Sequence, residues 1–167
     1  MKKLKGLVLD RDGTIIEHIH YLDDPRKVKL NLDINYFFEW TVKNKLKVFI
    51  HSNQSGVVRN YFSFNDLMQV HLSMLEKLKF SNFLKVFYAI DFKSKYRKPK
   101  SILKKLKSFN INKASEIIYI GDSDVDFETA QNIGSDCYLL NTGLNVPKNK
   151  KMYNSFKEII NNIKKNY

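Results

Sequence analysis

An open α/β fold, with a mainly parallel sheet between two helical layers, is what this sequence predicts, and three observations predict it. Strand and helix signals alternate from end to end, the order that a parallel sheet with covering helices requires. At 167 residues and 43% hydrophobic composition, the chain has the size of one domain and enough apolar side chains for a proper core. Polar clusters at Asp10 to Thr14, Ser52 to Gly56 and Gly121 to Asp126 each follow directly on an apolar strand run. Residues 1–167 are therefore expected to form a single domain, uninterrupted by repeats or low-complexity linkers.

The first strand is expected over roughly Leu4 to Asp10, followed by the polar turn Asp10-Arg11-Asp12-Gly13-Thr14. An irregular stretch through Pro25 leads to a helix around Ile34 to Asn44, and the second strand is expected over Lys47 to Ser52. Ser63 has the chemistry of an N-cap, and Leu67, Val70, Met74, Leu75 and Leu78 behind it are spaced for one buried helix face. A third strand near Leu84 to Ala89 runs through a short loop to Arg97-Lys98-Pro99, where Pro99 suits the start of a helix carrying Ile102, Leu103 and Leu106. Ile117 to Ile120 and Cys137 to Leu140 read as the fourth and fifth strands. Ser155 and Glu158 have capping-box spacing ahead of Phe156, Ile159, Ile160 and Ile163, the apolar face of a closing helix.

Composition excludes several classes of protein. No run of roughly 18 apolar residues is present to span a bilayer, and Met1 to Gly6 leads straight into a strand pattern rather than a secretion signal. A soluble chain in the cytoplasm, with no membrane partner, is the expectation. The single cysteine, Cys137, forbids an internal disulfide and leaves no cysteine cluster for zinc. A formal net charge of +12 attracts anions in general, although the lysines are spread along the chain as solvated helix faces would place them.

The three polar clusters carry the chemistry. In an open parallel sheet, ligands bind beyond the carboxyl ends of the strands, so the clusters should converge, with Lys98 joining from a loop. An Asp-Gly pair alone is ordinary turn chemistry; four elements in this order are more specific. A phosphate monoester is a dianion, and a carboxylate approaching its phosphorus is repelled until positive charge neutralises the site. Asp10 and Asp122 supply hard oxygen ligands suited to Mg2+, Lys98 supplies a fixed cation, and the Ser52 hydroxyl can donate to a phosphoryl oxygen.

Leu9-Asp10-Arg11-Asp12-Gly13-Thr14, Ser52-Asn53-Gln54-Ser55-Gly56, Arg97-Lys98-Pro99 and Gly121-Asp122-x-x-x-Asp126 resemble the four motifs of phosphatases of the haloacid dehalogenase superfamily. With Arg59 and Tyr61-Phe62 added, the pattern is similar to the branch containing heptose bisphosphate and histidinol-phosphate phosphatases. The resemblance covers nearly the whole chain and implies a Rossmann-like three-layer fold. It also implies hydrolysis of a small phosphorylated metabolite, such as a sugar phosphate, through an aspartyl-phosphate. In that scheme Asp10 is the nucleophile, and Asp12 is the general acid and then base. Asp10, Asp122 and the Asp12 carbonyl ligate magnesium. Ser52, Asn53, Thr14 and Arg97 serve phosphate or substrate binding, with Thr14 hydrogen-bonding within its loop. Asp126 acts behind the metal or holds Lys98. Asp124, between the matched positions, is assigned to capping or solvent exposure, and Arg11 to no chemical step.

The departures bear on substrate. Tyr88 to Tyr96 contains neither cysteine nor histidine where branch members carry a zinc loop, so structural zinc is expected to be absent. His18, His20, His51 and His71 lack metal-ligand spacing and read as surface or packing residues. There is no room for a large cap domain between Thr14 and Ser52 or between Gly56 and Lys98. The loop from Ile15 through Leu30, with His18, His20, Tyr21 and Arg26, is the candidate for substrate contact. Histidinol phosphate is the nearest alternative substrate. A nucleic-acid terminal phosphate ranks lower because no concentrated basic tract is visible, and a binding protein without activity ranks lowest because every catalytic position is filled. A monomer or small homo-oligomer is expected.

Overall fold

The computed structural model describes residues 3–80, 82–144 and 150–167, with the side chain of residue 84 outside that description. Six parallel strands form its sheet: β1 (Gly6–Leu9), β2 (Lys47–Asn53), β3 (Phe83–Ala89), β4 (Ile117–Gly121), β5 (Asp136–Leu140) and β6 (Met152–Tyr153), in the order β3-β2-β1-β4-β5-β6. Order reverses around β1, whose register pairs Leu9 with Ile50 of β2 on one side and Ile120 of β4 on the other. A crevice beyond the carboxyl ends of β1, β2 and β4 is the geometric result.

The period of two along each strand divides the apolar residues between two cores. Leu7, Leu9, Val48, Ile50, Ile118 and Ile120 face α1 (Ile34–Lys43), α2 (Phe64–Lys77) and α5 (Phe156–Asn166). Val8, Phe49, Phe87, Ile117 and Tyr119 face α3 (Leu103–Leu106) and α4 (Asp124–Ile133). Three layers follow, as the alternation of signals predicts. Ser63 caps α2, its hydroxyl accepting from the Asp66 amide while Asp66 accepts from the Ser63 amide at 2.8 Å. Ser155 likewise caps α5 through the Glu158 amide, but Glu158 returns its carboxylate to the Asn154 amide, one residue earlier than a capping box requires.

Two features depart from the sequence reading. The third helix does not begin at Pro99: that residue lies in a turn closed by the Lys100 amide on the Arg97 carbonyl at 2.9 Å, and α3 starts at Leu103. The turn is held to β2 through Lys98, so helical geometry begins only past it. β6 was not expected, because two residues paired with Leu139 and Leu140 are too short to show a period. The connections at residues 10–33 and 54–63 lie over the carboxyl end of the sheet, and neither carries a cap domain. Among the described residues, no helix is long and apolar enough to cross a membrane.

Candidate active site

Asp10 and Asp122, two of the charged residues of the site, leave the sheet at strand ends. Asp10 continues β1, its amide bonded to the Ile120 carbonyl at 2.9 Å, and the chain then turns through Gly13 at φ +79°. A β-carbon at residue 13 would stand 1.9 Å from Asp122 Oδ2, so only glycine lets the two acidic loops close on each other. Asp122 follows β4, and Asp126 sits in the first turn of α4, fully buried. The Lys98 ammonium reaches between them, 2.9 Å from Asp10 Oδ2 and 2.6 Å from Asp126 Oδ1. Asp10, Lys98 and Asp122 border a cavity of about 250 Å³, with Asp12, Ser52 and Asn53 also in its wall and Asp126 behind Lys98.

Carboxylates outnumber cations here. Among the described residues, Asp10, Asp12, Asp122 and Asp126 face Lys98 and Arg11, a formal excess of two negative charges. Burial pushes the Asp122 carboxyl up to about 8, with Asp10 and Asp126 adding to the effect and Lys98 opposing it. Burial likewise raises Asp10 to about 6 against the pull of Lys98. Burial disfavours the Lys98 ammonium, yet Asp10 and Asp126 hold its pKa above the usual lysine value. Oxygen atoms of Asp10, Asp122 and Asp126 lie within 4.8 Å of one another.

The oxygens of Asp126 are already committed, Oδ1 to Lys98 and Oδ2 to the Ser123 hydroxyl and the amides of Asp122 and Ser123. Asp122 Oδ2, in contrast, is buried with no hydrogen-bond partner. A buried carboxylate oxygen left bare is costly unless something positive meets it. This donor set of hard oxygens, with its surplus negative charge, fits a divalent cation such as Mg2+.

The end of β2 carries neutral groups, and the strand's alternation sorts them. Ser52 and Gln54 point toward Asp12: Gln54 Nε2 donates to Asp12 Oδ2 at 2.7 Å and to Ser52 Oγ at 3.1 Å. Asn53 points the other way and grips the Lys98 backbone, accepting from its amide at 2.9 Å and donating to its carbonyl at 3.2 Å. Arg11, 1% exposed, holds Asp12 through Nε and Nη2, bonds Gln54 at 3.2 Å, and packs 5.5 Å from the Tyr88 ring centre. The roles of Gln54 and Arg11 were missed in the sequence. The period of two along β2 would have placed Gln54 beside Ser52, whereas nothing local announces that Arg11 turns inward.

Of the residues expected at the site, Asp10, Asp12, Ser52, Asn53, Lys98 and Asp122 meet at the cavity, and Asp126 supports Lys98. Thr14 does not join them. It is fully buried and its hydroxyl finds no partner; the hydrogen bond it makes within its loop comes from its amide, which donates to the Arg11 carbonyl at 3.3 Å. Its carbonyl accepts from Asn31 at 2.8 Å, closing the loop from beneath. Arg97 lies outside the cavity wall with its guanidinium 5.1 Å from the Phe92 ring centre, and Arg59 flanks the same ring at 5.3 Å. Asp124 is on the exposed first turn of α4, paired with Lys150.

His18, His20 and Tyr21 of the substrate-contact loop line the cavity, so two histidines read as surface or packing residues stand at its mouth. Arg26 turns away to Asp24. Tyr21 bridges His20 and Tyr61, with ring centres 4.1 and 4.3 Å away.

Comparison with known proteins places this geometry in a family. The family model described as polynucleotide kinase 3 phosphatase matches residues 7–135. The D-glycero-beta-D-manno-heptose-1,7-bisphosphate 7-phosphatase of Mesorhizobium japonicum is 33% identical over 76 residues, 46% of this chain and 35% of that protein. This match therefore spans about a third of that relative's length. A Thermoplasma volcanium protein named "Probable D-glycero-D-manno-heptose-1,7-bisphosphate 7-phosphatase" is 26% identical over 137 residues, covering 78% of this chain and 94% of that one. The crystal structure of a D,D-heptose 1,7-bisphosphate phosphatase from B. bronchiseptica, complexed with magnesium and phosphate, superposes with a TM-score of 0.81 at 17% identity. It covers 98% of this chain and 100% of its own, a shared fold throughout.

Proposed function

The chain belongs to the polynucleotide kinase 3 phosphatase family, and from that premise we propose that it is a phosphatase of the haloacid dehalogenase type, acting on a small phosphorylated metabolite of the sugar-phosphate class, such as a heptose bisphosphate. One observation carries the reading: Lys98 bridges Asp10 and Asp126 while Asp122 presents a bare buried oxygen to the same cavity.

Asp10 is the nucleophile. Arg11 N–H, 2.6 Å from its Oδ1, and Lys98 on Oδ2 fix the carboxylate, leaving its remaining lone pairs for in-line attack on phosphorus. The resulting acyl phosphate divides one hard hydrolysis into two displacements. Asp12 delivers a proton to the leaving alcohol oxygen and afterwards takes one from the hydrolytic water. Gln54 and Arg11 hold its carboxylate beside the cavity in a fixed direction. The Ser52 hydroxyl and Lys98 ammonium stabilise the negative oxygens of the transferring group. Asp10 and Asp122, with the Asp12 main-chain carbonyl, would hold Mg2+, which supplies the positive charge that lets a dianion approach a carboxylate. His18, His20 and Tyr21 contact the leaving group at the mouth.

The test is phosphate release from a panel of sugar phosphates and histidinol phosphate, with Mg2+ and with chelator. Turnover of sugar phosphates is expected, lost with chelator and reduced on the order of 10³-fold or more by Asp10→Asn. Preference for histidinol phosphate would move the substrate class, and full activity in Asp10→Asn would end the proposal. The loop ahead of Lys98 is proposed to work without structural zinc, so metal analysis of the purified protein should find none bound stoichiometrically. A single catalytic domain in the cytoplasm, as monomer or small homo-oligomer, completes the reading.

A second reading has its own observation. Exposed Tyr61 and Phe92, with Arg59 and Arg97 against the Phe92 ring, stand on the loops that border the cavity. Aromatics interleaved with cations are how single-stranded nucleic acid is held. Hydrolysis of a terminal phosphate on an oligonucleotide, with affinity falling steeply as salt rises, would favour this substrate over the sugar phosphate.

A further inference from the structure

Position 51 lies in the middle of a buried strand, where an aliphatic side chain would serve the sheet, yet it is a histidine with no exposed surface. Burying an imidazole is unfavourable unless both ring nitrogens find partners. Both do. Nε2 lies 2.6 Å from the Tyr96 carbonyl, and Nδ1 lies 3.1 Å from the Tyr119 hydroxyl. Burial pushes the ring's pKa down to about 4, with Lys98 adding to the effect, so at neutral pH it carries one proton. A carbonyl can only accept, which puts that proton on Nε2 and leaves Nδ1 to accept from Tyr119.

The Tyr96 carbonyl begins the segment that delivers Lys98. His51 and Asn53 are two apart on β2 and so point to the same side. Asn53 grips the Lys98 amide and carbonyl, and His51 grips the chain two residues earlier. An edge contact of Phe87 with His51 and a tilted one with Tyr96 close the packing around this second grip. The sequence from Tyr88 to Tyr96 offers no cysteine or histidine of its own to organise the loop.

We propose that His51 is a positioning residue for Lys98: its bond to the Tyr96 carbonyl, with the Asn53 bonds to Lys98, forms a two-rung clamp that sets where the ammonium enters between Asp10 and Asp126. The inference rests on the reading of Lys98 as the site's fixed cation, and its test includes a measurement independent of turnover.

His51→Phe fills the space without a donor, and His51→Gln restores an N–H that reaches the Tyr96 carbonyl. Hydrogen exchange of the amides from Ser94 to Lys100 is measured in the full chain beside kcat, KM and thermal midpoint. His51→Phe should speed exchange at Arg97 and Lys98 about tenfold or more and lower kcat roughly 10- to 100-fold, the scale of a misplaced catalytic group. KM should change less than kcat, and His51→Gln should recover most of both losses.

Unchanged exchange and kcat in His51→Phe would overturn the clamp. So would equal losses in the two variants that track the fall in thermal midpoint, the signature of a histidine that merely fills the core. If His51→Phe does not fold, Tyr119→Phe replaces it, removing only the hydroxyl that meets Nδ1 and so loosening the ring that holds the Tyr96 carbonyl. Faster exchange at Arg97 and Lys98 is then expected, and none would count against the proposal. Should wild type release phosphate from no ester, the phosphatase reading fails while the exchange data still decide the clamp.

Discussion

The carboxyl ends of β1 and β4 and the carboxyl end of β2 face one cavity and contribute opposite kinds of chemistry. β1 and β4 bring charge: Asp10, Asp12, Asp122 and, one helical turn on, Asp126. β2 brings neutral amide, hydroxyl and imidazole groups, most of whose bonds go to the charged loops rather than into open space. The charged side supplies reactivity and the neutral side supplies location. A crowded set of like charges has no preferred arrangement of its own, so the groups that hold it decide whether attack is in line.

The comparison breaks most visibly at Lys98, a cation the two sides share. Lys98→Met keeps the aliphatic stem but leaves Asp10 and Asp126 buried without a counter-charge, and stability should fall by about 3 kcal/mol or more. Urea unfolding measures this, and a loss near zero would mean the carboxylates are neutral without the lysine. Phosphate release should fall at least as far as in any variant on the neutral side.

Asp122 sharpens the charged side through pH. Its folded pKa of about 8 stands above the unfolded value of about 3.9. An acid shifted upward holds its proton more firmly when folded, so in chelator the contribution of Asp122 to stability is greatest at low pH. That contribution should decline from about pH 4 to pH 8 and level off above. Asp122→Asn should flatten this decline and, at pH 8 in chelator, raise stability on the order of 1–3 kcal/mol over wild type. Added Mg2+ should raise the thermal midpoint of wild type and not of the variant. A pH profile equally steep in both would place the charge penalty elsewhere.

On the neutral side, Gln54→Leu removes the amide between Asp12 and Ser52. We expect kcat to drop roughly 10- to 100-fold, by the loss of an oriented proton carrier, while stability changes by about 1 kcal/mol. If KM alone moved, Gln54 would belong to substrate binding. The smallest effect belongs to the rim: Tyr61→Ala removes an exposed ring from its tilted contact with Tyr21. An aromatic contact worth about 1 kcal/mol predicts a several-fold rise in KM with kcat nearly unchanged, and an effect on kcat instead would place Tyr61 nearer the reacting atoms.

Much of this was legible along the chain, for identifiable reasons. Five of the strands, the caps at Ser63 and Ser155, and the convergence of three polar clusters follow from periodicity and strand order. Lys98 was legible as a cation of the site because a phosphate flanked by aspartates demands one. Thr14 and Arg97 were misplaced because adjacency in a motif does not fix which way a side chain turns. The Thr14 side chain is buried with its carbonyl held by Asn31, and the Arg97 guanidinium lies against the Phe92 ring. β6 was too short to carry a signal. His51 read as packing, which is correct for its burial and silent about the Tyr96 carbonyl 45 residues away in sequence.

The amino-acid sequence by itself determined the layers of this protein, the strand ends that face the crevice and the identity of its reactive groups. These depend on hydrophobic period and on residue chemistry, both of which are local. Only the tertiary structure decided which neutral partner holds which charge: Gln54 on Asp12, Asn53 and His51 on the Lys98 segment, Asp126 beneath the ammonium. Hydrogen bonds act over about 3 Å, and a period of two tells a side chain which face to take without naming what the fold has brought to meet it there.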